Sequence, residues 1–414
     1  MKTEKPKGTR DFTPEDMESR RHVEKEITDV FERYGFRQIR TPSFEHAELF
    51  EIKSGEEITT HMYAFKDKKD RTLCLRPEET APVCRMFAET LRTRPRPLKL
   101  YYFDPMFRYE EPQKGRYREF WQMGLELIGP PGPESDAEVI SIAYESLKRI
   151  GLSSALEIGH LGIIKGFLED RKIPEDTQRK ILACIDKKDT EGLKKLSTEK
   201  TLFELIGLAG GKEVLGKAEK HLKNCDRSMK ALSELGEIIS ILDLLGIGYL
   251  INLGIARGLE YYTGMVFEMR VQGLGAQNQI CGGGRYDNLI GLFSGISVPA
   301  VGFAFGFDRV VEAAQFQKIK TPVRGIDVVV APVSPDVKKE ALKIAATLRK
   351  DYVVLFDLMN RKLGKVLEYA AETNARYVVI VGSKDLAEGC VTLRDMKSGV
   401  QKTVKIEDIG GALR

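Results

Sequence analysis

Apolar and polar positions alternate most sharply over residues 106–129, MFRYEEPQKGRYREFWQMGLELIG. Strand-forming residues run through 107–110 and again through 120–128, and Pro112 and Gly115 punctuate the connection, which predicts a β-hairpin. Side chains alternate faces along a strand. Trp121, Met123, Leu125 and Leu127 form an ordinary core face. Arg118, Phe120, Gln122, Gly124 and Glu126 share the other, which sets an amide, a glycine and a carboxylate into an apolar strand. A buried carboxylate is costly unless a charge or hydrogen bond meets it. Pairing symmetric about Lys114 would set Arg108 opposite Phe120. That face then offers a guanidinium beside an aromatic ring, with a glycine gap, an amide and a carboxylate beyond. It suits a phosphate, a flat base and an amine in a row; it also suits a structural Arg–Glu pair on a half-buried sheet.

The periodicity elsewhere gives the remaining elements. Thr13, Pro14, Asp16 and Glu18 open a helix with Val23, Ile27, Val30 and Phe31 at helical spacing, and Gly35 closes it. A strand follows, ended by Pro42. Residues 62–65 and 72–75 read as a second hairpin. Glu78 and Thr80 sit at a strand–helix junction, where polar side chains can point into a site or cap the helix. A helix is expected over 135–150 and a short strand over 156–158. Residues 162–246 are rich in Lys, Glu and Leu with helical periodicity and no strong strand, which predicts a helical insertion. Strands return at 249–253, 265–271 and 277–281. Gly282, Gly283 and Gly284 could admit an anion to the backbone or another strand close by; no Walker or GxGxxG pattern surrounds them. Residues 300–309 read as a strand turning into a helix whose first turn holds Arg309, disfavoured by the helix dipole unless it meets an anion. After a polar linker, residues 324–414 alternate strands and helices as a separate α/β module.

Composition narrows the class. The 414 residues are 42% hydrophobic and 30% charged with a net charge of +4, which fits a soluble globular chain of several domains and demands no nucleic-acid partner by charge alone. Residues 165–234 and 324–414 lean basic, a mild pull toward an anionic partner. Six cysteines without a CxxC pair and five scattered histidines predict neither zinc nor disulfides and fit the cytoplasm. The segment MKTEKPKGTRDF lacks the apolar core of a signal peptide, and the uncharged run 288–307 is broken by glycines, so no membrane association is expected.

Taken together the segments resemble histidyl-tRNA synthetases of class II, with an archaeal-like pattern, over nearly the whole chain. The helix and strand ending at Pro42, the 107–128 hairpin and residues 302–309 match the general class motifs. Arg257-Gly-Leu-Glu-Tyr-Tyr and Gly283-Gly-Arg-Tyr-Asp are similar to the histidine-specific signatures. The resemblance implies an α+β architecture: an antiparallel-sheet catalytic domain in two parts (1–162 and 247–320), a helical insertion (163–246) and a C-terminal α/β anticodon-binding domain (324–414). It implies histidine activation by ATP and transfer to the 3′ end of histidine tRNA, with magnesium on the phosphates, no zinc, and a cytoplasmic homodimer.

Carried over residue by residue, Glu78, Thr80 and Gln122 would hold the substrate α-amine, with Glu79 and Arg108 also in the histidine subsite. Glu126 and Tyr262 would bond the imidazole nitrogens, with Tyr261 and Tyr286 lining the pocket. Arg108 would hold the α-phosphate, Phe120 would stack on adenine, and Arg116 and Arg309 would serve the ATP phosphates. Arg257 would meet charge developing in the transition state. Gln113, Lys114 and Arg116 would face the tRNA acceptor end. Glu111 stands where many bacterial members carry a basic residue, which points to an archaeal way of reading the extra 5′ nucleotide of the tRNA. Two rivals fit less well. A regulatory paralogue of histidine biosynthesis generally lacks the C-terminal domain, and a sister synthetase for proline, threonine or glycine would leave Glu126 and Tyr262 without a partner.

Overall fold

The computed structural model describes residues 3–52, 56–111, 116–256, 261–275, 278–322 and 325–413. Its strands in chain order are β1 (Arg37–Gln38), β2 (Phe44–His46), β3 (Ala64–Lys66), β4 (Thr72–Leu75), β5 (Leu98–Phe107), β6 (Glu119–Ile128), β7 (Ala155–His160), β8 (Ala209–Gly210), β9 (Leu250–Asn252), β10 (Met265–Arg270), β11 (Gln279–Arg285) and β12 (Ala300–Gly306), followed by β13 (Val328–Pro332), β14 (Val354–Phe356), β15 (Tyr377–Val381), β16 (Cys390–Asp395) and β17 (Gln401–Lys405). Among the described residues one sheet runs β1-β5-β6-β12-β11-β10-β7-β9-β8, and β2-β4-β3 form a small sheet. The large sheet is antiparallel apart from the pairs β1–β5 and β7–β9.

The central hairpin differs from its expected register. Met106 lies opposite Phe120, and the backbone N–H of Arg108 donates to the Arg118 carbonyl at 2.9 Å. The pairing is therefore displaced by two residues from symmetry about Lys114. Because side chains repeat every two residues, a displacement of two leaves Arg108 and Phe120 on one face. The incoming strand also starts earlier, at Leu98, and ends at Phe107 rather than running to Glu110. Asp104 and Pro105 break the apolar alternation there. Asp104 is nonetheless buried, paired with Arg76 at 3.0 Å.

The glycine triplet lies inside β11, not in a loop. A Cβ on Gly283 would sit 2.4 Å from the Gly302 carbonyl oxygen, and one on Gly284 2.9 Å from the Tyr262 ring. These two glycines thus serve the close approach of neighbouring chain segments.

Helices cover the apolar face. Pro14–Arg33 starts at a capping box between Thr13 and Asp16 and buries Val23, Ile27, Val30 and Phe31. Pro133–Ile150 stops at Gly151 in the left-handed conformation. Between β7 and β9 come six helices, Leu161–Asp170, Glu175–Asp186, Thr190–Leu196, Lys200–Ile206, Glu213–Leu222 and Asp226–Leu244, interrupted by the short edge strand β8. Leu232, Leu235, Ile238, Ile239 and Leu242 of the last helix are all buried.

The chain divides into two compact units, Met1–Thr321 and Pro322–Arg414. In the second, β14-β13-β15 are parallel and β16 and β17 extend the sheet antiparallel. Both faces of β13 are buried, which is why residues 328–331 read as an unbroken apolar run. The short helices Ser383–Ala387 and Ile409–Ala412 carry too little periodicity to be legible. Among the described residues no helix is long and apolar enough to cross a membrane.

Candidate active site

The polar face of β6 floors a cavity of about 440 Å³ that extends over β12, β11 and the loop before β10. Glu126 lies at one end, almost fully buried. Thr80 Oγ1 donates to Glu126 Oε1 at 2.8 Å, and the Tyr286 hydroxyl donates to Oε2. Burial pushes the Glu126 carboxyl up to about 8, although both hydrogen bonds favour the charged form. Gly302 sits directly across the ladder and leaves the space the carboxylate fills. Gly124, the gap in the apolar strand, is needed too: a Cβ there would lie 2.5 Å from the Tyr102 hydroxyl.

Three tyrosines wall this end. Tyr261 packs at a tilt against Tyr262 and edge-on against Tyr286, with ring centroids 4.9 and 5.8 Å apart. Burial pushes the Tyr261 and Tyr286 hydroxyls well above their ordinary range, so they stay protonated. Glu78 caps the helix Thr80–Met86: its oxygens accept from the backbone N–H of Thr80 at 2.7 Å and of Ala81 at 3.0 Å. Its carboxyl is raised by burial, with Arg108 acting against that. Gln122 lines the cavity between the two ends.

The far end is cationic. Arg108 Nε donates to the Pro77 carbonyl at 2.9 Å, and its guanidinium lies 5.3 Å from the centroid of Phe120. Arg309, in the first turn of the helix Phe307–Phe316, donates to the Gln279 carbonyl at 3.1 Å. Burial and the nearby Arg116 lower its hold on its proton. Arg116 pairs with Glu110 at 3.4 Å. Three guanidiniums thus line one end of the cavity, and a polyanion there would relieve their mutual repulsion.

The arrangement is an amphoteric slot: a buried carboxylate with hydroxyl partners at one end, and an aromatic plate among cations at the other. A catalytic-domain model described as histidyl-tRNA synthetase matches residues 8–310, and one described as anticodon binding domain matches residues 327–414. The chain is 47% identical over 98% of its length to the histidine–tRNA ligase of Methanococcus maripaludis (strain C7), and 46% identical over 98% to that of Methanocaldococcus jannaschii, in each case covering 98% of the relative. The solved histidyl-tRNA synthetase of Nostoc sp. PCC 7120 superposes with a TM-score of 0.83 at 25% identity, covering 100% of this chain and 99% of that one. The chain belongs to the histidyl-tRNA synthetase family.

Not every residue singled out from the sequence of this synthetase reaches the cavity. Glu79 does not line it. Its carboxylate instead meets the fully buried Arg76 at 3.1 Å and accepts from Thr41 Oγ1 at 2.5 Å. As neighbours at the start of a helix, Glu78 and Glu79 point to different sides, and only the first faces the site. Arg257, Gln113 and Lys114 lie outside the described residues.

Other residues of the synthetase act around the site without a sequence signal of their own. Arg285, inside the Gly-Gly-Arg-Tyr-Asp signature, is buried and held by Asp136 at 2.7 Å and Asp287 at 2.9 Å. It fastens β11 to the helix Pro133–Ile150, so the residue before Tyr286 is an anchor. Asp308 bonds Arg10 at 2.8 Å, Arg20 at 2.5 Å and the backbone N–H of Trp121 at 2.7 Å. The pattern RDF at residues 10–12 shows only a basic lead-in, because its acidic partner stands almost three hundred residues away. Asp186, from the segment read as an insertion, also lines the cavity.

Proposed function

We infer that this synthetase activates L-histidine with ATP and transfers it to histidine tRNA. A carboxylate oxygen of histidine attacks the α-phosphorus of ATP, the bond to pyrophosphate breaks, and histidyl-adenylate forms. A hydroxyl of the terminal ribose of the tRNA then attacks the histidyl carbonyl and AMP leaves. The observation that carries this reading is the slot itself, with buried Glu126 and the tyrosines at one end and Arg108, Phe120 and Arg309 at the other.

In this reading Glu126 and Tyr262 bond the two imidazole nitrogens, while Tyr261 and Tyr286 fix the ring's plane. Glu78, Thr80 and Gln122 receive the α-amine. Arg108 holds the α-phosphate, Phe120 stacks on adenine, and Arg309 and Arg116 take the terminal phosphates. Arg257 meets the charge that grows at the α-phosphate, and cations fixed before the reaction are worth most there. Magnesium would come with the ATP phosphates; the carboxylates of Glu110 and Glu268, which line the cavity and pair with Arg116 and Arg270, would be the hard oxygen donors at hand for it. Gln113, Lys114 and Arg116 meet the acceptor end of the tRNA, and the unit Pro322–Arg414 its anticodon. The reading includes a cytoplasmic homodimer, which sedimentation would test.

A site that bonds both imidazole nitrogens leaves buried polar groups unpaired when another amino acid enters, which is worth ~10⁴–10⁵ in discrimination. ATP–pyrophosphate exchange run with each amino acid in turn tests the reading. Exchange with histidine alone, followed by charging of histidine tRNA, is expected. No exchange with any amino acid would favour a regulatory paralogue, and exchange with proline, threonine or glycine a sister enzyme.

A further inference from the structure

The segment ahead of the first helix carries more of the nucleotide end than its place in the chain suggests. Thr9 folds back onto the Pro6 carbonyl, with its backbone N–H at 3.1 Å and its hydroxyl at 2.8 Å. Gly8, at φ +87°, then accepts from the backbone N–H of Arg118 at 2.8 Å. A Cβ on Gly8 would sit 2.7 Å from Arg118 Cγ, so the segment lies tight against the returning arm of the central hairpin. Arg10 follows. Its guanidinium carbon is 3.4 Å from the centroid of Tyr117 and 5.1 Å from that of Phe12. Its Nη2 is 2.8 Å from Asp308, and its Nη1 is 3.6 Å from Glu312.

The two side chains that Arg10 engages most closely, Tyr117 and Asp308, both line the cavity. The second oxygen of Asp308 takes the N–H of Trp121, next to Phe120 on β6, while Asp308 itself precedes Arg309. One carboxylate therefore ties the strand bearing the aromatic plate to the helix bearing the phosphate cation. Arg20 shares the same oxygen as Arg10. Asp308 would thus remain neutralised without Arg10, but Tyr117 would lose the planar cation beneath its ring.

We propose that Arg10 is a positioning residue for ATP, holding Tyr117 and Asp308 so that Phe120 and Arg309 keep the spacing the nucleotide requires. Arg10 itself does not line the cavity; it acts through the wall. The proposal rests on the reading of the cavity as the site where ATP and histidine meet.

The test uses the full-length chain with R10A and R10K. Histidine-dependent ATP–pyrophosphate exchange is measured with each substrate varied, alongside calorimetric histidine binding and the melting temperature. R10A should raise the KM for ATP ~10-fold or more, since small misplacements of positioning groups are costly, and leave histidine affinity within about twofold. R10K should recover part of the loss, because an ammonium can pair with Asp308 but cannot lie flat on Tyr117. An unchanged ATP KM, or equal losses for ATP and histidine with a lower melting temperature, would overturn the proposal. If R10A does not fold, R10K decides: a raised ATP KM with normal histidine affinity supports the role, and a normal ATP KM overturns it. Absence of exchange in the wild type would overturn the reading of the cavity, and this inference with it.

Discussion

Gly302 faces Glu126 across the β12–β6 ladder, and a Cβ built on it would lie 1.8 Å from Oε2 of that carboxylate. The contact is too short for either side to absorb, because Glu126 is pinned by Thr80 and Tyr286 and Gly302 by its ladder. G302A must expel the carboxylate from its seat or bend the strand. We expect a fall of ~10–100-fold in kcat/KM for histidine and about 1–3 kcal/mol of stability, the range for overpacking a core. Exchange kinetics and chemical denaturation check both. A variant with normal histidine kinetics would show that Glu126 does not need this gap.

Glu126 also leaves a mark on stability. Burial holds its carboxyl at about 8, against an ordinary value of 4.5. Between those values the folded chain keeps a proton that the unfolded chain has released, so stability falls as pH rises from about 5 to 8. Glu79, held at about 8 by burial, and Asp136, held at about 6 for the same reason, contribute with the same sign over their own windows. E126Q deletes one of these titrations, so its melting temperature should decline less across pH 5–8 than that of the wild type. Parallel curves from calorimetry would rule this assignment out.

Glu79 and Thr80 are adjacent but belong to different networks, and substitution should separate them. E79Q removes one of the two carboxylates that meet the fully buried Arg76 and leaves Asp104 at 3.0 Å. With Asp104 still neutralising Arg76, losing the Glu79 contacts should cost about 1–3 kcal/mol, while the histidine KM should hardly change. T80V removes the hydroxyl that donates to Glu126; at a similar cost of about 1–3 kcal/mol it should raise the histidine KM ~10-fold. The reverse pattern would mean that Glu79 is the residue facing the substrate.

What the sequence made legible follows from the range of each signal. Period-two alternation placed Arg108, Phe120, Gln122 and Glu126 on one face, and that outcome tolerated a register displaced by two residues. A displacement of one would have reversed it. The start of β5 was not legible, because Asp104 and Pro105 look like strand breakers until Arg76 is seen to neutralise the acid. The division between Glu78 and Glu79 depends on how one helix meets the sheet, which no local pattern encodes. The Asp308 hub joins residues from both ends of the catalytic unit, and pairings so distant leave no periodicity to read. Asp186 reaches the cavity for the same reason, through packing alone.

Arg257, assigned by its histidine-specific signature, stands as a prediction of its own. In the proposed reading its charge is used where the α-phosphate gains negative charge, so R257A should lower kcat for exchange ~10²–10³-fold, the cost of losing one preorganised donor. Histidine affinity, measured by calorimetry without ATP, should stay within about twofold of the wild type. Equal loss of binding and turnover would make Arg257 a ground-state ligand of histidine instead.

The last prediction concerns the second unit. Pro322–Arg414 has its own buried clusters on both faces of β13, and Met1–Thr321 contains every described residue that lines the cavity. A chain ending at Thr321 should therefore fold and catalyse histidine-dependent exchange within a few-fold of the full-length rate. Charging of tRNA should suffer far more. When two modules grip one ligand, the second contact multiplies affinity by ~10²–10⁴ through effective concentration, and truncation forfeits that factor. The loss should fall on the KM for tRNA, with the transfer rate at saturating tRNA much less affected, because the chemistry stays in the first unit. A folded truncated chain without exchange activity would mean that the second unit completes the catalytic site, and an unchanged tRNA KM would mean that it does not hold the tRNA.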